Sequence, residues 1–477
     1  MKISKQLKLN IDYIKQQHNQ NKDLIERNIN FANFKICIMY LNEQADEEKL
    51  NNYIIKSLLE SKTQINSFED IKNNISIGES EELNSLDDCV NEILNGNAII
   101  LVQGYTSAIK CSITKYEHRS VIEPPTSAVI FGPREGFIEN IKINKNLIRK
   151  RLPTTSLKFK EMSVGKYTKT KIALCYLKDI ADFNIVKKIE NRLKQINIDG
   201  IVDSHYLISF LEEKKSSMFK QIGKTEKPDI AVAKMLEGRV AIIVDGSPIV
   251  LTLPFVILED LQNSDDYYQR HNKISIVRIL RIVSILLSIL LPGIYVAIQL
   301  YHYRVIPLKF LVSIINSTQG IPFTPFLEML FVILLFEILF EASLRMPKYL
   351  GIAVSIVGAL VLGDTAVKAG LISSPAVMII AVTGISFYTL PEETSQLSIL
   401  RMIFTLLGGT LGLLGLVVGG LILINYLVDF NGYGAPYLAP YAPYIKTDLK
   451  DALLKKEASG INTRPKSIPN KNRIRKR

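Results

Sequence analysis

Two kinds of hydrophobic pattern divide the chain. Up to about residue 270 the apolar positions fall in short runs between polar stretches, the signature of alternating strands and helices. Phe34–Leu41 (FKICIMYL) reads as a strand, and residues 45–61, rich in Glu, Lys and Leu, read as a helix. Ser85 suits the N-cap of a helix closed by Gly96. Residues 98–103 and 108–115 flank residues 104–107 as the arms of a hairpin. A break follows at Glu123-Pro124-Pro125-Thr126, which cannot be helix interior. Then comes Gly132-Pro133-Arg134-Glu135-Gly136, a turn leading into a basic helix through Arg151. Strands are predicted near 157–162 and 169–177, and helices over 182–196 and 228–237. The segments 239–244 and 249–253 flank Asp245-Gly246-Ser247-Pro248 as a second hairpin.

Beyond residue 273 the pattern changes. Residues 282–303 contain no charged side chain over 22 positions, enough to cross about 30 Å of hydrocarbon. Pro292-Gly293 within this run predicts a kink. The stretch 310–345 is interrupted by Pro322 and Pro325 and carries Glu328, Glu337, Glu341 and Arg345. Glu337, Glu341 and Arg345 share one helical face, either as a self-neutralising i,i+4 pair at an interface or as an intramembrane carboxylate stripe. Residues 349–363 are apolar and run into Asp364 and Lys368, again four apart. Residues 369–391 are uncharged, as are the 27 residues of 402–428, the strongest span. Gly408, Gly412, Gly415 and Gly419 in that last span give a small-residue stripe suited to close helix packing.

Charge follows the same division. The net formal charge is +12, from 58 basic and 46 acidic side chains. Residues 1–272 carry 38 and 36, residues 273–430 carry 9 and 7, and residues 431–477 carry 11 and 3. A purely soluble protein, a disordered chain and a secreted disulfide scaffold are therefore excluded. The expected fold class is an α/β cytosolic region of two small subdomains, 1–122 and 123–272, followed by an α-helical polytopic membrane domain, 273–430, and a basic tail, 431–477. No apolar core of signal-peptide length opens the chain, so the first 270 residues are expected to be cytoplasmic. Lys273, Arg278 and Arg281 before the first span agree by the positive-inside rule. Five apolar segments would put the basic tail outside, so 320–345 is expected to be a buried or interfacial helix, leaving four full spans. Anionic lipid is the expected partner of the basic cluster at 471–477, and nucleic acid is not.

Chemistry is sparse. Cys37, Cys89, Cys111 and Cys175 form no CxxC and are expected to be buried reduced thiols. Gly223-Lys224-Thr225 resembles the end of a phosphate loop, but Met218 stands where its first glycine belongs. His18, His118, His205, His271 and His302 are scattered, and no metal or cofactor is expected. Arg134 and Glu135 read either as a ligand clamp or as a polar turn. Pore-lining candidates lie in 354–369, where Gly358, Val361, Leu362, Thr365 and Ala366 share a face at helical spacing and Asp364 stands beside it.

Several longer strings carry a resemblance. They are Gly132-Pro133-Arg134-Glu135-Gly136-Phe137-Ile138-Glu139-Asn140, Asn146-Leu147-Ile148-Arg149-Lys150-Arg151, Asp245-Gly246-Ser247-Pro248 and Leu291-Pro292-Gly293-Ile294-Tyr295-Val296-Ala297. Pro322-Phe323-Thr324-Pro325-Phe326-Leu327-Glu328 follows, with Glu337, Glu341 and Arg345, then residues 357–363 (VGALVLG) and 434–440 (GAPYLAP). In this order the chain, from about residue 34 to 450, resembles the A subunit of the GerA family of spore germinant receptors. It departs from the family at Asp364, where an uncharged polar residue is usual. The resemblance implies a non-enzymatic subunit in the inner membrane of a bacterial endospore. Its implied partners are a transporter-like B subunit and a lipoprotein C subunit. It also implies a homo-oligomer that forms a ligand-gated channel releasing monovalent cations. The alternative is a transporter that moves the nutrient itself, and a third reading is a membrane-anchored enzyme with its site in the first 270 residues.

Overall fold

The computed structural model describes residues 1–18, 23–31, 34–42, 44–60, 67–78, 80–113, 131–345, 361–457 and 460–475. They form two compact units. The first comprises 1–215, 221–255 and 463–477, and the second comprises 216–220 and 256–462.

The first unit contains two five-stranded antiparallel sheets. One is built from β1 (Leu24–Phe31), β2 (Phe34–Leu41), β3 (Ser80–Leu83), β4 (Ala98–Val102) and β5 (Ala108–Cys111). The other is built from β6 (Leu157–Val164), β7 (Thr170–Leu177), β8 (Gly223–Thr225), β9 (Val240–Val244) and β10 (Val250–Leu253). Their strand orders are β1-β2-β4-β5-β3 and β6-β7-β9-β10-β8, which is one topology used twice. The helices repeat as well. Leu7–Gln17 precedes the first sheet as Ile141–Arg151 precedes the second. Leu86–Leu94 leads into β4 as Pro228–Leu236 leads into β9. This internal duplication is not visible in the residue pattern.

The first sheet is covered on both faces because its central strands carry apolar side chains on both faces rather than at alternate positions only. Ile36, Ile38 and Tyr40 of β2 pack with Ile54, Leu58 and Ile71 on one side. Cys37, Met39 and Leu41 pack with Ile14, Cys89 and Ile93 on the other. All four cysteines are buried and form no disulfide, as expected, and burial pushes the Cys37, Cys89 and Cys111 thiols up to about 12. Both predicted hairpins are present, each with a positive-φ glycine at its turn, Gly104 and Gly246.

The second unit is helical. One of its helices, His271–Tyr301, is long and apolar enough to cross a membrane, and the element Thr394–Val428 passes the same test by length and composition alone. Leu308–Thr318, Pro325–Arg345 and Ser374–Phe387 lie between them. The first long helix continues through Pro292, and the predicted interruption of 310–345 lies between Leu308–Thr318 and Pro325–Arg345, with Pro325 opening the second helix.

The expectation of one 27-residue span at 402–428 needs correcting. Gly412 has φ +66° and ψ −150°, outside helical geometry. A Cβ on Gly415 would sit 2.6 Å from the carbonyl oxygen of Leu407, and one on Gly419 2.5 Å from Leu407 Cδ1. In a straight helix those pairs are about 12 and 18 Å apart along the axis. The chain therefore doubles back at Gly412, dividing the element into 394–411 and 413–428. Only glycine reaches that φ without Cβ strain.

Candidate functional site

The Gly132–Gly136 motif precedes the Ile141–Arg151 helix and is held by polar bonds. Asn140 caps the helix, accepting from the amides of Lys142 and Ile143. The Phe137 amide donates to Glu226 O at 2.6 Å. The Asp245-Gly246 turn meets it, with Ile141 N donating to Asp245 Oδ1 at 3.2 Å and Gly246 N to Glu139 O at 2.7 Å. Glu135 pairs with Arg151 and, at 3.2 Å, with Lys150. Burial opposes its ionisation, but the two cations outweigh it and hold the carboxyl below its usual range. Arg149 joins the two halves of this unit by donating to Asp23 at 2.5 Å while stacking over Phe159. His18 lines a small cavity beside Arg149, Thr154 and Thr155. Burial, then Lys158 and Arg149, lower His18 to about 4.

In the helical unit the charged candidates separate. Glu341 and Arg345 form the i,i+4 pair at 2.5 Å, both exposed. Glu337 does not join them. It pairs with Arg401, whose side chain is fully buried, and accepts from Ser398. The Arg401 guanidinium also stacks over Phe336 at 5.0 Å and Phe387 at 5.2 Å. Glu328 is buried in a different place, where it accepts from the Ser373 amide at the N-terminus of the Ser374 helix.

Asp364 pairs with Lys368 at 2.7 Å in the exposed i,i+4 arrangement. Gly358 lies outside the described residues. Val361–Thr365 is a single wide helical turn leading into residues 366–368. Of this stretch, Thr365 is exposed and Ala366 packs against the cluster of Val296, Met329 and Ile333.

The glycine stripe contacts its own chain. A Cβ on Gly408 would lie 2.4 Å from Gly293 O, so these two backbones touch. Gly412 abuts Tyr301, and the Tyr301 hydroxyl donates to Gly409 O at 2.9 Å. Gly409, which stands against Phe326, belongs to the same contact and is absent from the sequence-based stripe.

The flanks of the helices are more structured than their charge suggests. Arg278 is fully buried between Asp266 and Asp451, and Arg281 donates to Asp266 at 2.8 Å. Lys220 lies 2.8 Å from Asp260 and 3.6 Å from Glu393, all three largely buried. Burial and then the neighbouring Asp260 raise Glu393 to about 9. The basic tail is also engaged. In the first unit Arg464 donates to Leu236 O at 2.6 Å, Lys471 N donates to Ile180 O at 2.8 Å, and Lys471 lies over Phe183. Part of the charge expected to meet lipid therefore docks on the protein.

Arg401 escaped the sequence reading because it stands one residue before the uncharged run, where it looks like a flank. Lys220, Asp260 and Glu393 are dispersed and leave no local signal. No group of three or more metal-ligating side chains occurs among the described residues.

A family of similar sequences, described as Bacillus/Clostridium GerA spore germination protein, matches residues 12–467. The chain is 33% identical over 99% of its length to spore germination protein KA of Bacillus subtilis, covering 88% of that protein. It is 34% identical to the Bacillus subtilis protein named uncharacterized membrane protein YfkQ, covering 97% of this chain and 91% of that one. The crystal structure of the N-terminal domain of the A subunit of the Bacillus megaterium germinant receptor GerK3 is 25% identical. It covers 54% of this chain and 98% of that one, with a TM-score of 0.43.

Proposed function

The chain belongs to the Bacillus/Clostridium GerA spore germination protein family, and from that membership we propose that it is the A subunit of a nutrient-sensing germinant receptor. In this reading the helical unit lies in the spore inner membrane as a multi-pass domain and the α/β unit is cytoplasmic. Copies of the chain oligomerise with a transporter-like B subunit and a lipoprotein C subunit, and the assembly opens a path for monovalent cations. The role is not enzymatic.

One observation carries the membrane part. The helices leave large apolar side chains exposed, including Ile276, Leu280 and Leu286 on the first and Leu414, Val417 and Leu421 on the last, while Arg401, Glu328 and Arg278 are buried. Water favours the opposite arrangement and hydrocarbon favours this one. The conduction path is assigned to 354–369, with a ring of Asp364 carboxylates at one mouth. The test is current across planar bilayers containing the purified chain with and without its partner subunits. A nutrient-dependent cation current supports the reading. Uptake of labelled nutrient without current overturns it in favour of a transporter.

A further inference from the structure

Glu328 is the charged residue in the apolar helices whose burial is least explained. It is 1% exposed, and one carboxylate oxygen accepts from the Ser373 amide. Glu337 has Arg401, Glu341 has Arg345 and Asp364 has Lys368. Glu328 has no basic partner among the described residues. The N-terminus of the Ser374 helix offers partial positive charge, which is less than the full charge it faces.

The surroundings are polar at close range and apolar beyond. Tyr295 and Gln299 lie one turn apart on the first long helix. Ser373, fully buried, and Gln299 lie beside the Tyr295 hydroxyl, and the charge of Glu328 reaches it. The Tyr295 hydroxyl and both polar atoms of Gln299 are shielded from solvent and make no hydrogen bond. Tyr295 packs against the buried cluster of Val296, Met329, Val332, Ile372 and Ala376. A carboxylate without a counter-charge and three orphaned polar atoms in such a setting are each strongly disfavoured.

One ligand answers the missing charge and the oxygen acceptors together, leaving only the Gln299 amide N–H unmatched. A monovalent metal ion supplies the missing charge and accepts the free carboxylate oxygen, the phenolic and hydroxyl oxygens and the Gln299 carbonyl as hard oxygen ligands. A proton on Glu328 would cancel the charge and supply one O–H donor, enough for a single neighbouring oxygen, whereas an ion meets several oxygens at once. A divalent ion would keep excess charge against a single carboxylate. We propose that Glu328, Tyr295, Gln299 and Ser373 bind one alkali-metal cation inside the helical unit. The ion ties the His271, Pro325 and Ser374 helices together. It requires no pore, so its binding and the conduction proposed above fail independently.

The test uses the full chain in lipid nanodiscs, with thermal unfolding followed by helical circular dichroism. KCl or NaCl replaces choline chloride at constant ionic strength and fixed pH. The melting temperature is expected to rise saturably with K+ or Na+ and not with choline, and E328Q is expected to abolish the rise. Q299A and Y295F keep the carboxylate and are expected to raise the half-saturating ion concentration about tenfold each. Equal melting temperatures in K+, Na+ and choline overturn the proposal. So does a response to pH alone, which would mean that a proton neutralises Glu328. If E328Q does not fold, a wild-type ion response in both Q299A and Y295F overturns it.

Discussion

Arg401 reaches Glu337 from another helix, and the pair is sandwiched against Phe336 and Phe387. The arginine is fully buried while the glutamate keeps a quarter of its surface. Arg401 Nε and Nη1 are shielded and make no hydrogen bond, so one carboxylate and two ring faces provide its compensation. Removing the carboxylate strands a buried cation. E337Q is expected to destabilise the helical unit by about 3–5 kcal/mol. The double variant E337Q/R401M should recover most of that loss, because neither charge then remains buried. Thermal unfolding of the three proteins in one detergent checks this, and equal losses in the single and double variants would contradict it.

Backbone contact between Gly293 and Gly408 makes a second prediction. A methyl group on Gly408 would meet a carbonyl oxygen, which cannot swing aside as a side chain can. G408A is expected to cost about 1–3 kcal/mol and to lower the amount of folded receptor in the membrane. G420A, which meets nothing within 4 Å, should be neutral within about 0.5 kcal/mol. The comparison separates a contact at one position from a general effect of glycine replacement.

How much of this was legible in the sequence depends on the range of each interaction. The Glu341–Arg345 and Asp364–Lys368 pairs lie within one helical turn, so spacing alone brings them together. Glu337 and Arg401 are separated by an intervening helix, and spacing says nothing of them. The hairpins at Gly104 and Gly246 were readable because turn chemistry is local. The polar strand β1 and the short β3 and β8 were not, because they join sheets whose inner strands supply the apolar surface. At Gly412 the glycines suggested packing, but the positive φ that folds the chain back depends on tertiary contacts.

The buried Glu393 gives a pH dependence outside the apolar spans. Burial and then Asp260 raise its carboxyl from 4.5 to about 9, while Lys220 opposes the shift and Tyr437 stands nearby. Between those values the folded state holds a proton that the unfolded state releases. This contribution is therefore full below about pH 4.5 and is lost as pH rises through about 9. E393Q, which stays neutral, should flatten the decline of melting temperature over that window and be the more stable protein at its alkaline end. Parallel profiles for the two proteins would show that Glu393 is ionised when folded.

The Asp364–Lys368 pair decides what charge at this position does. Both side chains are more than half exposed, so the pair is worth only about 0.3–0.5 kcal/mol. D364N should leave stability and assembly unchanged, which makes it a clean probe of conduction. If copies of the chain surround a pore at this level, each removes one carboxylate from a ring that concentrates cations, and D364N lowers cation release or selectivity. K368Q keeps the carboxylate while releasing it from its partner, so it should act in the opposite direction. Steric variants test the same path: V361F should block release and L362A should permit leak without nutrient. Cation efflux from spores carrying each variant, normalised to receptor level, is the measurement. Wild-type efflux in all four would move the path away from 354–369, with the folded glycine-rich element at Gly412 as the next place to test.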